Sequence, residues 1–212
     1  LVHELPEIIK TMELEDGITA FEEHAAHVVF ASELVRDRTA NEVLRRPWSR
    51  SVIQPQGLYR NESILLPDEK EEAARNLRLQ MGMPDDAVIV VGAGFGDHRK
   101  GVDIFCRWAV ASARLDERLH FIWLGEICSA MIPICHSILA NAGDVAGNVH
   151  LAGFQNDLGS YYKAASAYAL SSREDPYPST VLEAMACGTP AFVVRGTTGL
   201  QELADSAAIR VI

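Results

Sequence analysis

The chain has 212 residues, of which 48% are hydrophobic, and its 19 basic and 29 acidic side chains give a formal net charge of −10. This length and apolar content suffice to bury a sizeable core, which excludes an intrinsically disordered chain. The acidic balance argues against a nucleic-acid partner, because non-specific binding to nucleic acid needs a basic surface.

The predicted strands are short apolar runs that alternate along the chain with stretches of helical period. Several runs are apolar on both faces, as in parallel sheets that helices cover on both sides. The alternation predicts an α/β fold with doubly wound, Rossmann-like parallel sheets. The predicted strands are residues 28–31, 51–53, 87–91, 120–125, 149–151, 167–170, 191–194 and 208–212.

Amphipathic helices are predicted between these strands, for example where apolar residues at 102, 105, 106 and 109 follow the helical period. A charged helix is predicted over residues 68–80, after a turn-rich segment at 55–60. That segment marks a predicted domain boundary. Residues 1–57 are predicted to be the end of one α/β domain, and residues 58–212 most of a second. Because the chain opens on Leu1 rather than Met and stops on a strand, we expect a piece of a longer protein.

The cysteines at 106, 128, 135 and 187 lie in apolar surroundings without a disulfide-like spacing, which indicates a reduced, cytoplasmic compartment. Cysteines 128 and 135 and histidines 136 and 150 match no known spacing of zinc ligands. We therefore expect buried thiols and ordinary histidines here. No apolar stretch approaches the roughly 18–20 residues that span a bilayer.

A glycine-rich segment, residues 91–101, leads from a predicted strand into a predicted helix. It resembles a dinucleotide-binding fingerprint, but Asp97 stands at the third glycine position, which disfavours hydride transfer. Arg99 and Lys100, the basic pair, stand at the predicted helix start, where the helix dipole favours acidic residues. Two explanations stay open: an anion bound beside the glycines, or two solvated charges after an Asp97 cap.

The most informative run is residues 171–190, which follows a predicted strand and enters a short helix closed by Gly188 and Pro190. Asp175 in its loop and Glu183 in the predicted first turn of the helix can face a single pocket. In open α/β sheets, ligands bind where the carboxyl ends of strands lead into helix N-termini. The run therefore predicts a binding site at that edge of the sheet.

This run resembles the signature of the retaining family 4 (group 1) glycosyltransferases of GT-B fold, two glutamates separated by seven residues and followed by Ala-Met-Ala-Cys-Gly-x-Pro. Asp175 stands where that pattern has its first glutamate, and Glu183 takes the second position. Glu174 is one residue too early for the spacing. The chain departs from the family at Phe95, often an arginine, and at Pro178, commonly a glycine, which removes one backbone N–H from the phosphate cradle.

The likeness covers nearly the whole chain. Residues 99–101 resemble the family's phosphate-binding segment, 121–125 its next core strand, and 149–154 the strand and loop that meet the nucleotide base. Residues 2–4 and 29–33 resemble strands of the family's N-terminal domain. The resemblance therefore implies a donor-binding domain preceded by the end of an acceptor-side domain.

The resemblance also implies a role for each matched residue. Lys100, assisted by Arg99, would neutralise the leaving pyrophosphate. Backbone N–H groups near Ser179, Thr180 and Val181, at the next helix start, would hold the same phosphates.

Three side chains would contact the sugars. Glu183 would accept hydrogen bonds from the ribose hydroxyls, Asp175 would orient hydroxyls of the transferred sugar, and His3 would approach that sugar from the opposite domain. The remaining predicted donor contacts are Gly94, Gly96, Phe154, Glu174 and Tyr177.

Several of these residues have an alternative explanation. Thr180 and Glu183 have the spacing of a capping box, in which Thr180 caps the helix and Glu183 reaches back. Asp175 fits the start of a turn. Phe154 and Tyr177 fit packing as well as ligand contacts.

The resemblance implies a cytoplasmic hexosyltransferase that moves a sugar from a nucleoside-diphosphate sugar, with UDP or GDP as carrier, to a saccharide or glycolipid acceptor with retention. A peripheral contact with the inner membrane surface through the acceptor is consistent with it. We expect no cofactor and no metal, because the chain has no Asp-x-Asp motif and the basic pair supplies positive charge. The alternatives are a nucleotide-sugar 2-epimerase of the same fold and a non-catalytic nucleotide-sugar-binding module.

Overall fold

The computed structural model describes residues 2, 4–43, 50–58, 66–204 and 208–212, and the described residues up to 58 are called the N-terminal segment below. In this segment, β1 (Val28–Phe30) and β2 (Ser51–Ile53) form a parallel pair with Val28 opposite Ser51. The backbone N–H of Val2 donates to the carbonyl of Val29 at 2.8 Å, which places the start of the chain beside β1.

The second sheet has six parallel strands: β3 (Val88–Ala93), β4 (Leu119–Leu124), β5 (Val149–Leu151), β6 (Ala167–Leu170), β7 (Ala191–Val193) and β8 (Ile209–Val211). Their spatial order is β5-β4-β3-β6-β7-β8. The order reverses at β3 and β6, which lie side by side with Val90 opposite Ala167. All the predicted strands are present, with ends shifted by one or two residues, and the predicted fold class is confirmed.

The helices are α1 (Pro6–Thr11), α2 (Glu15–His24), α3 (Glu33–Glu42), α4 (Pro67–Met81), α5 (Val102–Ala113), α6 (Ile132–Ala140), α7 (Leu158–Ala164) and α8 (Ser179–Ala186), with 3₁₀ helices at Gly143–Asn148 and Gly199–Leu203. Local sequence explains several of their ends. Ser32 caps α3 by accepting the N–H of Val35 at 3.1 Å. Gly82 ends α4 in the left-handed conformation, with φ of 65°.

Helices cover both faces of the large sheet, because alternate residues of each buried strand face opposite sides. On one face, Val91 and Ile122 pack with residues of α4, α7 and α8. On the other, Val90 and Trp123 pack with α5 and α6, and the ring of Phe105 meets that of Trp123 edge-on at 5.2 Å. This burial fixes the sheet as the scaffold whose carboxyl edge carries the site.

The predicted boundary between residues 57 and 58 stays a prediction. Residues 59–65, which follow it, lie outside the described residues. The two sheets lie on either side of this position in the chain.

Candidate functional site

The basic pair lies in the turn between β3 and α5. The helix begins only at Val102, and Gly101 before it is left-handed with φ of 67°. Asp97 Oδ1 accepts the N–H of Lys100 at 2.7 Å, so this carboxylate closes the turn. The basic pair therefore does not stand at the helix start, as predicted, because α5 begins two residues after Lys100. The explanation in which Asp97 caps this helix is wrong for the same reason, since Gly101 holds the cap position.

The turn after β3 is joined to the loop after β6 by backbone contacts. The N–H of Arg173 donates to the carbonyl of Arg99 at 2.8 Å, and Ser171 Oγ donates to the carbonyl of Lys100 at 3.2 Å. In return, the Arg99 guanidinium donates to the carbonyl of Glu174 at 3.1 Å. Because β3 and β6 are neighbours at the point where strand order reverses, the two predicted constellations meet there.

The side chain of Arg173, in the loop after β6, also contacts the turn after β3 and the start of α5. Its guanidinium donates to both carboxylate oxygens of Asp103, in the first turn of α5, at 2.8 Å each. It also donates to the carbonyl of His98 at 2.7 Å. Hydrogen bonding to Arg173 lowers the pKa of the Asp103 carboxyl. Sequence reasoning missed these contacts, for which no short motif exists.

Lys100 and Asp175 form an ion pair, with Nζ 2.5 Å from Oδ2. Only 18% of the Lys100 side chain and 6% of the Asp175 side chain are exposed, so water screens this pair less than a surface pair. Ser172 Oγ donates to the same Oδ2 at 3.2 Å, and the N–H of Asp175 donates to Thr197 O at 2.8 Å. The structure thus brings together the basic pair and the first predicted carboxylate.

The helix start at α8 differs from the predicted capping box. Pro178 holds the cap position, and no side chain within the described part of the chain makes a cap hydrogen bond there. Glu183 lies in the second turn, since the helix begins at Ser179. The capping explanation is therefore wrong. The N–H groups of Ser179, Thr180 and Val181 occupy the first turn, where the helix supplies no acceptor.

Tyr168 links the end of β3 to the start of α8. Its hydroxyl is buried, accepts the N–H of Ala93 at 3.0 Å and lies 3.0 Å from Thr180 Oγ1. Burial raises the pKa of this hydroxyl, and the negative charges of Asp175 and Glu183 raise it further. Both carboxylates therefore act on the same buried group.

A cleft of about 320 Å³ opens at the carboxyl edge of the sheet, and Gly94 in its wall lies against the side chain of Lys100. Phe154 is 68% exposed and Phe95 56% exposed at its wall, so both rings offer faces to a ligand. Sequence reasoning noticed Phe95 only as a departure from the family and missed Glu126 and Gln155. The cleft is lined by Gly94, Phe95, Leu124, Gly125, Glu126, Phe154, Gln155, Leu158 and Thr180.

A larger groove of about 610 Å³ lies between α5 and α6. None of the predicted site residues lines it. The cleft beside the ion pair is therefore the candidate site, although it is the smaller of the two.

The remaining predicted residues lie around this centre. Tyr177 is 5% exposed and packs in the core, as its alternative explanation holds. Gly96 faces the segment after β4, where a side chain would collide with Ile127. Glu174 is buried and turned towards the N-terminal segment. His3 lies outside the described residues, so its predicted role stays a prediction.

In the described ranges, no group of three or more histidine, cysteine or acidic side chains is arranged to hold a metal ion. None of the helices in those ranges is both long and apolar enough to cross a membrane. Farther from the cleft, His120 Nδ1 and His150 Nε2 lie 3.1 Å apart, and burial lowers the pKa of both rings.

The family described as "Glycosyl transferases group 1" matches residues 85–209, a range that contains the basic pair, the ion pair and the cleft. The chain belongs to this family. The predicted membership is confirmed at that level.

Two curated relatives are each 31% identical to this chain. One is the alpha-galactosylglucosyldiacylglycerol synthase of Streptococcus pneumoniae, matched over 58% of this chain. The other is the lipopolysaccharide core biosynthesis glycosyltransferase LpsE of Rhizobium meliloti, matched over 56%. In each case the match spans 33% of the relative's own length.

Solved structures give the same fold. The crystal structure of Anabaena Alr3699/HepE in complex with UDP has a TM-score of 0.81 at 19% identity, over 100% of this chain and 57% of that one. A structure of the same protein in complex with UDP-glucose has a TM-score of 0.80 at 19% identity, over 99% and 57%. At 19% identity this likeness shows the fold alone, and that fold is GT-B.

Proposed function

We propose that this chain is the donor-binding part of a hexosyltransferase that uses a nucleoside-diphosphate sugar with retention of anomeric configuration and without a metal ion. The observation that carries the proposal is the ion pair of Lys100 with Asp175. It lies where the strand order reverses, beside a cleft with two exposed aromatic rings. Sugar, diphosphate and base would occupy the carboxylate, the basic pair and the cleft in that order.

The diphosphate would lie between two sources of positive charge. Lys100 and Arg99 approach it from the turn after β3. The first turn of α8 offers the N–H groups of Ser179, Thr180 and Val181, and the positive end of its dipole. Each well-placed donor of this kind contributes about 3–4 kcal/mol to stabilising charge that grows on a leaving group.

The carboxylates would position the sugars. One carboxylate oxygen of Asp175 would accept hydroxyls of the transferred sugar, while Lys100 holds the other oxygen, Oδ2. Glu183 would accept the ribose hydroxyls. His3 would approach the transferred sugar from the acceptor side. Phe154 and Gly94 in the cleft would contact the base, and a planar ring suits stacking on a base.

The acceptor in this proposal is a saccharide or glycolipid, since the named relatives act in glycolipid and lipopolysaccharide synthesis. The enzyme would work in the cytoplasm, with contact at the inner membrane surface through its acceptor. No cofactor takes part. The basic pair and the helix start would replace the charge of a metal ion.

Calorimetric titration with UDP, GDP and ADP tests the proposal on the 212-residue chain. One nucleotide should bind preferentially, and Lys100→Ala should weaken it about 10–100-fold, the size of a hydrogen bond to a charged group. Lys10→Ala is the matched control, because Lys10 pairs with Glu42 in the N-terminal segment and half of its side chain is exposed. Equal, weak response to all three nucleotides would refute the donor site.

Glu183→Gln separates the carboxylate's proposed role from a structural one. Donor affinity should fall while the thermal unfolding midpoint stays unchanged. A lower midpoint with intact affinity would contradict the proposal for this residue. Binding of a nucleotide sugar without transfer or epimerisation would favour a non-catalytic module.

A further inference from the structure

Glu174 precedes Asp175, and its side chain turns away from the cleft into the N-terminal segment. Its Oε1 lies 3.1 Å from Nη1 of Arg38 in α3 and accepts the N–H of Glu7 in α1 at 3.4 Å. Its backbone carbonyl accepts the guanidinium of Arg99 at 3.1 Å. One residue therefore contacts both the basic pair and the N-terminal segment.

The burial of this carboxylate is costly. Glu174 is 1% exposed, and its Oε2 has no hydrogen-bond partner among the described residues. Burial raises the pKa of the carboxyl, and the charge of Arg38 opposes that shift. A buried ion pair is often no more stable than apolar packing of similar volume. A gain in stability therefore does not explain why a carboxylate is buried here. A role in fixing the position of the loop that carries Glu174 does explain it.

A second carboxylate, Glu202, contacts the N-terminal segment at the start of α3. Glu202 accepts the N–H groups of Glu33 and Leu34 at the start of α3, at 3.2 and 2.9 Å. The segment that leads to Glu202 is tied in turn to the loop, since the N–H of Asp175 donates to Thr197 O at 2.8 Å. The N-terminal segment thus contacts the loop after β6 directly through Glu174 and indirectly through Glu202.

We propose that Glu174 is a positioning residue, which fixes the Asp175 carboxylate through the ion pair with Arg38 and does not itself contact the donor. The inference rests on the proposed function, in which Asp175 orients the transferred sugar and the basic pair binds the diphosphate. Arg173 holds the turn of the basic pair independently, through Asp103. A shift of Glu174 therefore displaces the sugar contact more than the phosphate contacts.

The test uses Glu174→Gln, Arg38→Gln and the double variant of the 212-residue chain. Calorimetry gives the Kd of UDP and of UDP-glucose, or of the GDP or ADP pair if that nucleotide binds more tightly. The ratio of the two Kd values reports the sugar contact. We expect this ratio to change at least fivefold in each single variant, with the UDP Kd within twofold of the unaltered chain. The double variant should be no worse than either single one.

Glu42→Gln is the matched control, because it removes the other carboxylate that Arg38 contacts, at 2.8 Å, and should leave the ratio unchanged. Thermal unfolding checks that each variant folds, and Arg38→Gln decides the matter if Glu174→Gln does not fold. An unchanged ratio in the folded variants overturns the inference. So does a loss of UDP affinity as large as that of Lys100→Ala, which would place Glu174 at the phosphates. If the unaltered chain binds no nucleotide, the proposed function fails and this inference fails with it.

Discussion

Replacing Gly101 by alanine tests whether the basic pair must be held against the loop after β6. A left-handed backbone with φ of 67° costs an L-residue about 1–2 kcal/mol. The new Cβ would also lie closer than 3.0 Å to the backbone carbonyl of Ser171, which cannot rotate away. Relieving such overpacking costs about 1–3 kcal/mol. We therefore expect the free energy of unfolding to fall by about 2–5 kcal/mol in total.

Gly143→Ala is the matched control for this substitution. Gly143 has nearly the same φ, 66°, but a Cβ there would meet nothing within 4 Å. It should lose only the backbone cost of about 1–2 kcal/mol. The difference between the two variants isolates the contact between the turn after β3 and the loop after β6.

Urea unfolding followed by circular dichroism measures both free energies, and calorimetry measures the UDP affinity of each folded variant. Gly101→Ala should bind UDP at least tenfold more weakly, since the clash with the Ser171 carbonyl displaces Lys100 from the place where it would meet the diphosphate. Gly143→Ala should bind normally. Equal losses of stability in the two variants, or normal UDP binding by Gly101→Ala, would refute the reasoning.

Three other predictions follow from the same contacts. Asp103→Asn and Arg173→Gln should each lower the free energy of unfolding by about 1–2 kcal/mol, and the double variant by less than their sum, in urea unfolding. Phe154→Ala should weaken UDP binding by about 1 kcal/mol, roughly fivefold, without changing the unfolding midpoint, because the ring is exposed. The His120 and His150 rings have a folded-state pKa below the ordinary 6.5, so their contribution to stability is complete above pH 6.5 and is lost as the pH falls below it. The unfolding midpoint should therefore fall between pH 7 and pH 5, and less steeply in His120→Gln.

Controls separate these effects from general damage. His136→Gln alters an exposed ring and should keep the full pH dependence of the unaltered chain. Additive losses at Asp103 and Arg173 would mean that their pairing contributes nothing. Weakened uridine binding should accompany weakened UDP binding in Phe154→Ala, and intact uridine binding would remove the ring from the base site.

The sequence by itself determined the strands, the fold class and the two segments that carry the site. Short runs apolar on both faces are typical of buried parallel strands, because helices cover both faces of a parallel sheet. The run around Asp175 and Glu183 resembles the family's signature, and the match over residues 85–209 confirms membership of the group 1 glycosyl transferases.

Only the tertiary structure decided which of these residues touch. Lys100 and Asp175 are 75 positions apart, and they pair because β3 and β6 lie side by side where the strand order reverses. No local pattern encodes that order. Local spacing also suggested that Thr180 caps α8, whereas its hydroxyl lies against the buried Tyr168. The direction of Glu174 likewise depends on a helix of the N-terminal segment, because packing between distant parts of the chain decides where a buried charge finds its partner.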